Sequence, residues 1–184
     1  MALGSDHPVI LDLCAGSGGW SEPYVAAGYV VERIDLLSGI DVRFLEKGEA
    51  PVHGILAAPP CTHFASSGAR WWAGKGDEAI LDGLSVVDAC CRLVLLYQPK
   101  WWALENPVGR LRRWLGPPAL AFDPCDFGDP YTKRTLLWGN FATPERSPVD
   151  PTEGSKMHLM SSSWQRQRSV TPPGFAQAFF RANP

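Results

Sequence analysis

Cys61 follows two prolines, in the run Ala58-Pro59-Pro60-Cys61-Thr62-His63-Phe64, and is the residue whose surroundings best suit covalent chemistry. The prolines fix the backbone and remove two amide donors, so the thiol is expected to project from a stiff turn. Such a thiol becomes a nucleophile once a nearby cation or helix start gives it thiolate character. The alternative is a small buried hydrophobe, the commoner fate of a free cysteine and the reading given to Cys90 and Cys91; Cys14 and Cys125 have no evident partner. Glu105 lies between Trp101-Trp102 and Asn106-Pro107. A carboxyl in so apolar an edge has a raised pKa and, protonated, donates to a ring nitrogen; otherwise it is a solvated turn acid or the cap of a helix over Val108 to Leu115. Arg134, after Thr132-Lys133, would hold a base oxygen or a phosphate, or else form a surface ion pair.

A second group points to a bound nucleoside. The turn Ala15-Gly16-Ser17-Gly18-Gly19 lets the backbone approach a ligand and presents amide hydrogens at a helix start. Alone it is equally a tight strand-to-helix turn. Asp35 sharpens the reading, because an acid ending the second strand accepts both hydroxyls of a ribose. Trp71 and Trp72 lie in the glycine-rich stretch Ser66 to Gly76, expected to be a mobile loop. There they would stack on bases or wedge into a duplex, or fold down as ordinary core.

The elements that position these residues follow from apolar patterning. Val9 to Leu13, Tyr29 to Ile34, Val52 to Ala57, Pro99 to Leu104 and Arg134 to Trp138 read as strands, the last stopped by Gly139. Trp20 to Ala27 reads as a short helix, Asp77 to Tyr97 as a long one, and Pro172 to Ala182 as a terminal helix with Thr171 as its N-cap. Strands alternating with helices imply an α/β fold with a mostly parallel sheet and helices on both faces. Ligands of such sheets bind beyond the carboxyl ends of the strands, where Asp35, Cys61 and Glu105 fall. Asn140 to Gln167 lacks periodicity and reads as a long loop.

Bulk properties exclude several classes. With 184 residues, 45% of them hydrophobic, the chain buries one core and has room for a single domain, residues 1 to 184. The apolar stretches are too short and too interrupted to cross a bilayer, and the start resembles no secretory signal, so a cytoplasmic location is expected. Five cysteines without CxxC spacing argue against zinc, and no metal is expected. A net charge of -2 gives no global attraction to nucleic acid. Contact with it must be local: Arg110, Arg112 and Arg113, then Lys133 and Arg134, then Arg166 and Arg168 are the candidate patches, each also readable as a solvated face.

In order and spacing these motifs resemble the DNA cytosine-5 methyltransferase family, in particular its short bacteriophage-type members. The likeness runs from about Val9 to Asn183. DLCAGSGGW, Asp12 to Trp20, is similar to the first cofactor motif, with Cys14 where phenylalanine is usual; it implies S-adenosylmethionine held by Asp12, Cys14, Ala15, Gly16, Ser17, Gly18, Gly19 and Trp20. Asp35 and Leu36 resemble the ribose-binding step, Asp41-Val42 the segment touching the adenine amino group, and Pro59 completes the cofactor set. APPCTHF resembles the catalytic motif, with Cys61 as nucleophile, and Glu105-Asn106 the motif whose glutamate engages the cytosine ring. Of the family's paired arginines only Arg134 aligns, Thr132 occupying the other place. RSVTPPGFAQAFF, Arg168 to Phe180, resembles the last motif, a helix that completes the cofactor pocket.

The resemblance implies methyl transfer to carbon 5 of a cytosine flipped out of duplex DNA, with Cys61, Glu105 and Arg134 catalytic. Pro60, Thr62, Ser67, Arg70, Trp71, Trp72, Asn106, Lys133 and Arg168 would contact the substrate. The family's sizeable target-recognition domain is replaced by the 140–167 loop, so a short target or a partner subunit is expected, in phage self-protection or restriction-modification. Competing readings are the same chemistry on single-stranded DNA, RNA or a free cytosine nucleotide, and a catalytically idle DNA-binding protein.

Overall fold

The computed structural model describes residues 7–155 and 170–184. Val9–Leu13 (β1), Val30–Ile34 (β2), Val52–Ala57 (β3) and Trp101–Pro107 (β4) are parallel strands in the order β2-β1-β3-β4. β1 and β3 are buried almost without alternation, as strands covered on both faces must be. Two further strands complete the sheet: Leu120–Phe122 (β5) and Thr135–Asn140 (β6), with β6 antiparallel to both β4 and β5.

Helices cover the two faces. Trp72–Tyr97 (α2) and Arg112–Leu115 (α3) pack on one, around Leu11, Ile55, Val87, Leu93, Leu104 and Leu111. Glu22–Ala26 (α1) and Pro173–Ala182 (α4) pack on the other, where aromatic rings dominate. Phe122 and Phe175 stack there with centroids 4.1 Å apart, and Phe179 meets Trp20 and Trp101 edge-on at 5.5 and 5.6 Å. Each buried phenylalanine contributes about 1.5–3 kcal/mol by leaving water, which suffices to hold a ten-residue helix. α4 is also tied down by polar bonds: Tyr24 donates to the Asn183 carbonyl at 2.7 Å, and the Asn183 side chain pairs with both backbone groups of Ala142.

Several elements differ from their sequence expectations for local reasons. The strand expected at Arg134 to Trp138 begins at Thr135 and runs through Gly139 to Asn140. Gly139 continues rather than stops it, because a side chain there would collide with the Trp102 carbonyl across the ladder. β4 extends through Glu105 and Asn106 to Pro107, so these residues lie in the strand and not beyond it. β5 was not anticipated, since three residues before Asp123-Pro124 carry no period. The helix expected from Val108 shrinks to Arg112–Leu115, as residues 108 to 110 bond to another loop instead. α1 is shorter than Trp20 to Ala27, and α4 is capped by Pro172, not Thr171. Ser66 to Gly76 is not a loose loop: a 3-10 turn spans Ser66–Trp71 and runs into α2, which kinks at Gly76. Residues 140 to 155 carry no helix or strand after Asn140, and 156 to 167 of the expected loop, with Arg166 and Arg168, lie outside the described residues.

Candidate active site

The glycine turn after β1 is pinned to the end of β2. The Cys14 and Ala15 amides donate to the Ile34 carbonyl at 2.7 and 3.3 Å, and the Gly16 amide donates to Asp35 Oδ2 at 2.8 Å. Asp35 Oδ1 accepts the Leu37 amide, also at 2.8 Å, which caps the short 3-10 turn Leu36–Ser38. The carboxylate is therefore oriented, with lone pairs to spare for two ribose hydroxyls. Gly16 has φ +53° and no atom stands within 4 Å of a side chain built on it, so that side of the turn is open to a ligand. Cys14 holds φ +58°, a left-handed conformation costly for a residue with a side chain. Leu36 is 66% exposed beside Asp35, offering a free apolar wall, whereas Val42 is buried in the core. These features fit a nucleoside-bearing cofactor.

Asp41 is engaged differently from its expected role. Arg43 donates to its carboxylate through Nε at 3.0 Å and Nη2 at 2.6 Å, holding it below the usual carboxylate range, and reaches on to Asp82 at 2.9 Å. Trp20 is core, packed on Phe175 and Phe179. A side chain on Gly19 would meet the Ser17 hydroxyl and the Thr171 backbone, and one on Gly18 would meet Arg33. Asp12 is 1% exposed, and burial pushes its pKa up to about 6 against the opposing pull of the Ser21 hydroxyl and Arg33. Since the folded value lies above the ordinary 3.8 of a free aspartic acid, folding stabilises the protonated form. That stability is complete below pH 4 and is lost as pH rises through 6. Asp12→Asn is expected to remove about 3 kcal/mol of this pH dependence, read as the wild-type-minus-variant difference in urea unfolding between pH 4 and pH 7.

β3 and β4 build the reactive edge. Their register pairs Ala57 with Leu104, so the chain leaving β3 as Pro59-Pro60-Cys61 lies beside Glu105 and Asn106 on the next strand. Cys61 is exposed and starts a 3-10 turn, Cys61–His63. Asn106, expected to contact substrate, is instead fully buried: its Nδ2 donates to the Pro59 carbonyl at 2.9 Å, tying the proline turn to β4. The chain after β4 continues the seam. Val108 accepts from the Ser66 amide at 2.8 Å and the Ser66 hydroxyl at 2.7 Å, while Arg110 donates through its amide to Phe64 and through Nε to the His63 carbonyl at 2.7 Å. Lys75 Nζ caps the Thr62 carbonyl at 2.8 Å. A cation thus contacts each of the two carbonyls after Cys61, which stiffens the turn presenting the thiol.

Gly109 is where this seam is closest. A methyl group there would lie 1.9 Å from the Phe64 carbonyl, backbone that cannot yield without moving the Cys61 turn. Gly109→Ala is expected to cost about 1–3 kcal/mol, measured by thermal unfolding, and to slow any reaction at Cys61.

Glu105 is half-buried, and burial raises its pKa despite the opposing charge of Lys133. Beyond it opens a pocket of about 420 Å³ whose wall includes Ser66, Ser67, Val108, Asp123, Lys133 and Arg134. Arg134 reaches this edge because β6 runs antiparallel to β4, pairing Thr135 with Pro107 and setting the start of β6 against the end of β4. Its guanidinium is oriented by Asp123 at 3.1 Å, which also accepts the Lys133 amide at 3.0 Å. Asp123 was missed from the sequence; the Asp123-Pro124-Cys125-Asp126 spacing announces a capping box, which it forms, but not a partner for Arg134. Trp71 is 51% exposed with the Arg70 guanidinium 3.9 Å above its ring, whereas Trp72 is half-buried beneath Arg110 at 4.5 Å. Among the described residues no three His, Cys, Asp or Glu side chains gather as a metal site, and no helix is long and apolar enough to cross a membrane.

No family model matches the chain. It is 29% identical over 125 residues to the type II methyltransferase M.DdeI of Desulfomicrobium norvegicum, a match covering 55% of this chain and 28% of the relative. Among solved structures it is similar to a DNA modification methyltransferase encoded within an E. coli prophage, at TM-score 0.52 and 19% identity over 72% of this chain and 46% of that one. The fold is that of the Rossmann-like S-adenosylmethionine-dependent methyltransferases. The methyltransferase EhMeth of Entamoeba histolytica aligns at TM-score 0.47 and 12% identity, over 83% of this chain and 58% of that one. The chain therefore spans less than half the length of M.DdeI and of the prophage methyltransferase. Within this methyltransferase fold the glycine turn and Asp35 occupy the carboxyl ends of β1 and β2, and the Cys61 turn and Glu105 those of β3 and β4.

Proposed function

We propose that the chain transfers a methyl group from S-adenosylmethionine to carbon 5 of cytosine in DNA. The observation that carries this reading is the seam between β3 and β4, which sets an exposed cysteine on a stiff turn beside a glutamate of raised pKa, with an oriented arginine at the same edge. The curated relative and the prophage neighbour are methyltransferases by name, which supports the same class.

Each residue then has a task. Gly16, Asp35 and Leu36 would hold the nucleoside of S-adenosylmethionine, which supplies an electrophilic methyl group when bound. The Cys61 thiolate adds to carbon 6 of the cytosine, forming a sulfur–carbon bond and pushing electrons toward carbon 5. Glu105, protonated, donates to ring nitrogen 3, so the ring accepts those electrons without developing full negative charge. Arg134 holds the base oxygen. After methylation, loss of the carbon 5 proton restores the ring and expels Cys61. A base buried in a duplex stack offers carbon 6 to no thiol, so it must be flipped out or arrive unpaired.

The test is incubation with labelled S-adenosylmethionine and, separately, duplex DNA, single-stranded DNA, RNA and dCMP, followed by nucleoside mass spectrometry. 5-Methylcytosine in the DNA arms is the expected result. None in any arm would remove the enzymatic reading.

A further inference from the structure

Trp114 stands against the Cys61 turn, and the proposed reaction gives it no task. It lies on α3, is 45% exposed, and meets Phe64 of the catalytic turn edge-on with ring centroids 6.2 Å apart. On the same turn of helix, Arg112 and Arg113 are exposed, and their side chains make no ion pair among the described residues. Arg33, Arg43, Arg134 and Arg146, by contrast, are each paired with a carboxylate. A chain of net charge -2 thus carries, beside the Cys61 turn, two guanidinium groups without a carboxylate partner among the described residues, immediately before an exposed indole. This is the composition that binds a nucleic-acid strand, with phosphates neutralised by arginine and an unpaired base stacked on the aromatic ring.

The footing of α3 is firm. Leu111 is buried in the core beside Phe64, the Gly116 carbonyl that ends the helix accepts from Trp138 Nε1 at 3.0 Å, and Arg110 clamps the preceding residue to the Cys61 turn. The surface and the thiol are therefore parts of one rigid edge. We propose that Trp114, Arg112 and Arg113 form a docking surface for the strand that carries the target cytosine, with Trp114 stacking on an unpaired base near it. This rests on the reading of the chain as a cytosine methyltransferase of nucleic acid.

The experiment is fluorescence polarisation of a labelled cytosine-containing 20-nucleotide single strand, and of the matching duplex, with the full chain at several salt concentrations. Trp114→Ala is expected to weaken single-strand binding about ten-fold. Arg112→Glu with Arg113→Glu is expected to weaken both probes and to flatten the logarithmic salt dependence on the single strand by about 1.4. The arginine pair is solvent-exposed, so it remains decisive if Trp114→Ala fails to fold. Thermal unfolding of each variant is the control for an intact fold. If both variants bind the strand as the wild type does, the surface is overturned, whether or not the wild type methylates. Weakened binding by the variants of a wild type that makes no methylcytosine would uphold the surface and sink the proposed reaction instead.

Discussion

Cys61→Ser is expected to reduce methyl transfer by on the order of a thousand-fold or more while leaving the fold intact. The side chain is exposed at the start of a 3-10 turn held by backbone and neighbouring groups, through Asn106 to Pro59, Lys75 to Thr62 and Arg110 to His63. Exchanging sulfur for oxygen leaves each of those bonds in place, so thermal unfolding should shift by no more than about 2 °C. What is lost is the nucleophile, because a serine hydroxyl near neutral pH is almost wholly protonated. The mechanism supplies a second readout. On DNA containing 5-fluorocytosine, carbon 5 has no proton to lose after methylation, so the adduct persists and migrates as a covalent complex. Wild type should trap and Cys61→Ser should not. A trapped complex formed by the serine variant would place the nucleophile elsewhere.

The parallel half of the sheet was legible because β1 and β3 are buried on both faces and read as apolar runs, while the edge strand β2 keeps a β-branched run closed by an acid. The residues at their ends were legible for the same reason, since a parallel sheet places Asp35, Cys61 and Glu105 at one edge once the strands are known. Arg134 shows the limit. A fifth strand parallel to the others would have put it at the opposite edge, and it reaches the site only through the reversed direction of β6. No local pattern encodes that reversal; it follows from β5 and the Asp123 turn, which return the chain at the carboxyl end of β4. Asn106 and Arg110 were misplaced for a different reason. Both are polar types that sequence reasoning sends to solvent or substrate, yet each is buried because it satisfies backbone carbonyls of the Pro59 to Phe64 segment. Such struts between segments over forty residues apart leave no periodic trace.

Glu105→Gln carries the second large expected effect, a fall in turnover of about a hundred-fold to ten-thousand-fold. The size alone would not separate a proton donor from a packing residue, and the direction of the pKa shift does. Burial raises the pKa of Glu105, with Lys133 only partly opposing it, so its protonated form persists to higher pH than that of an ordinary carboxyl. If that form donates to ring nitrogen 3, turnover is highest where Glu105 is protonated and falls as pH rises through its raised value. Glutamine cannot titrate, so the variant should lose that limb and show a slower, flatter profile, while its affinity for S-adenosylmethionine, set at the ends of β1 and β2, stays unchanged. Lys133→Met sharpens the prediction: removing the opposing cation raises the Glu105 pKa further and should move the falling limb to higher pH. A limb that stayed in the Glu105→Gln profile would assign the titration to another group and leave Glu105 a structural part of β4.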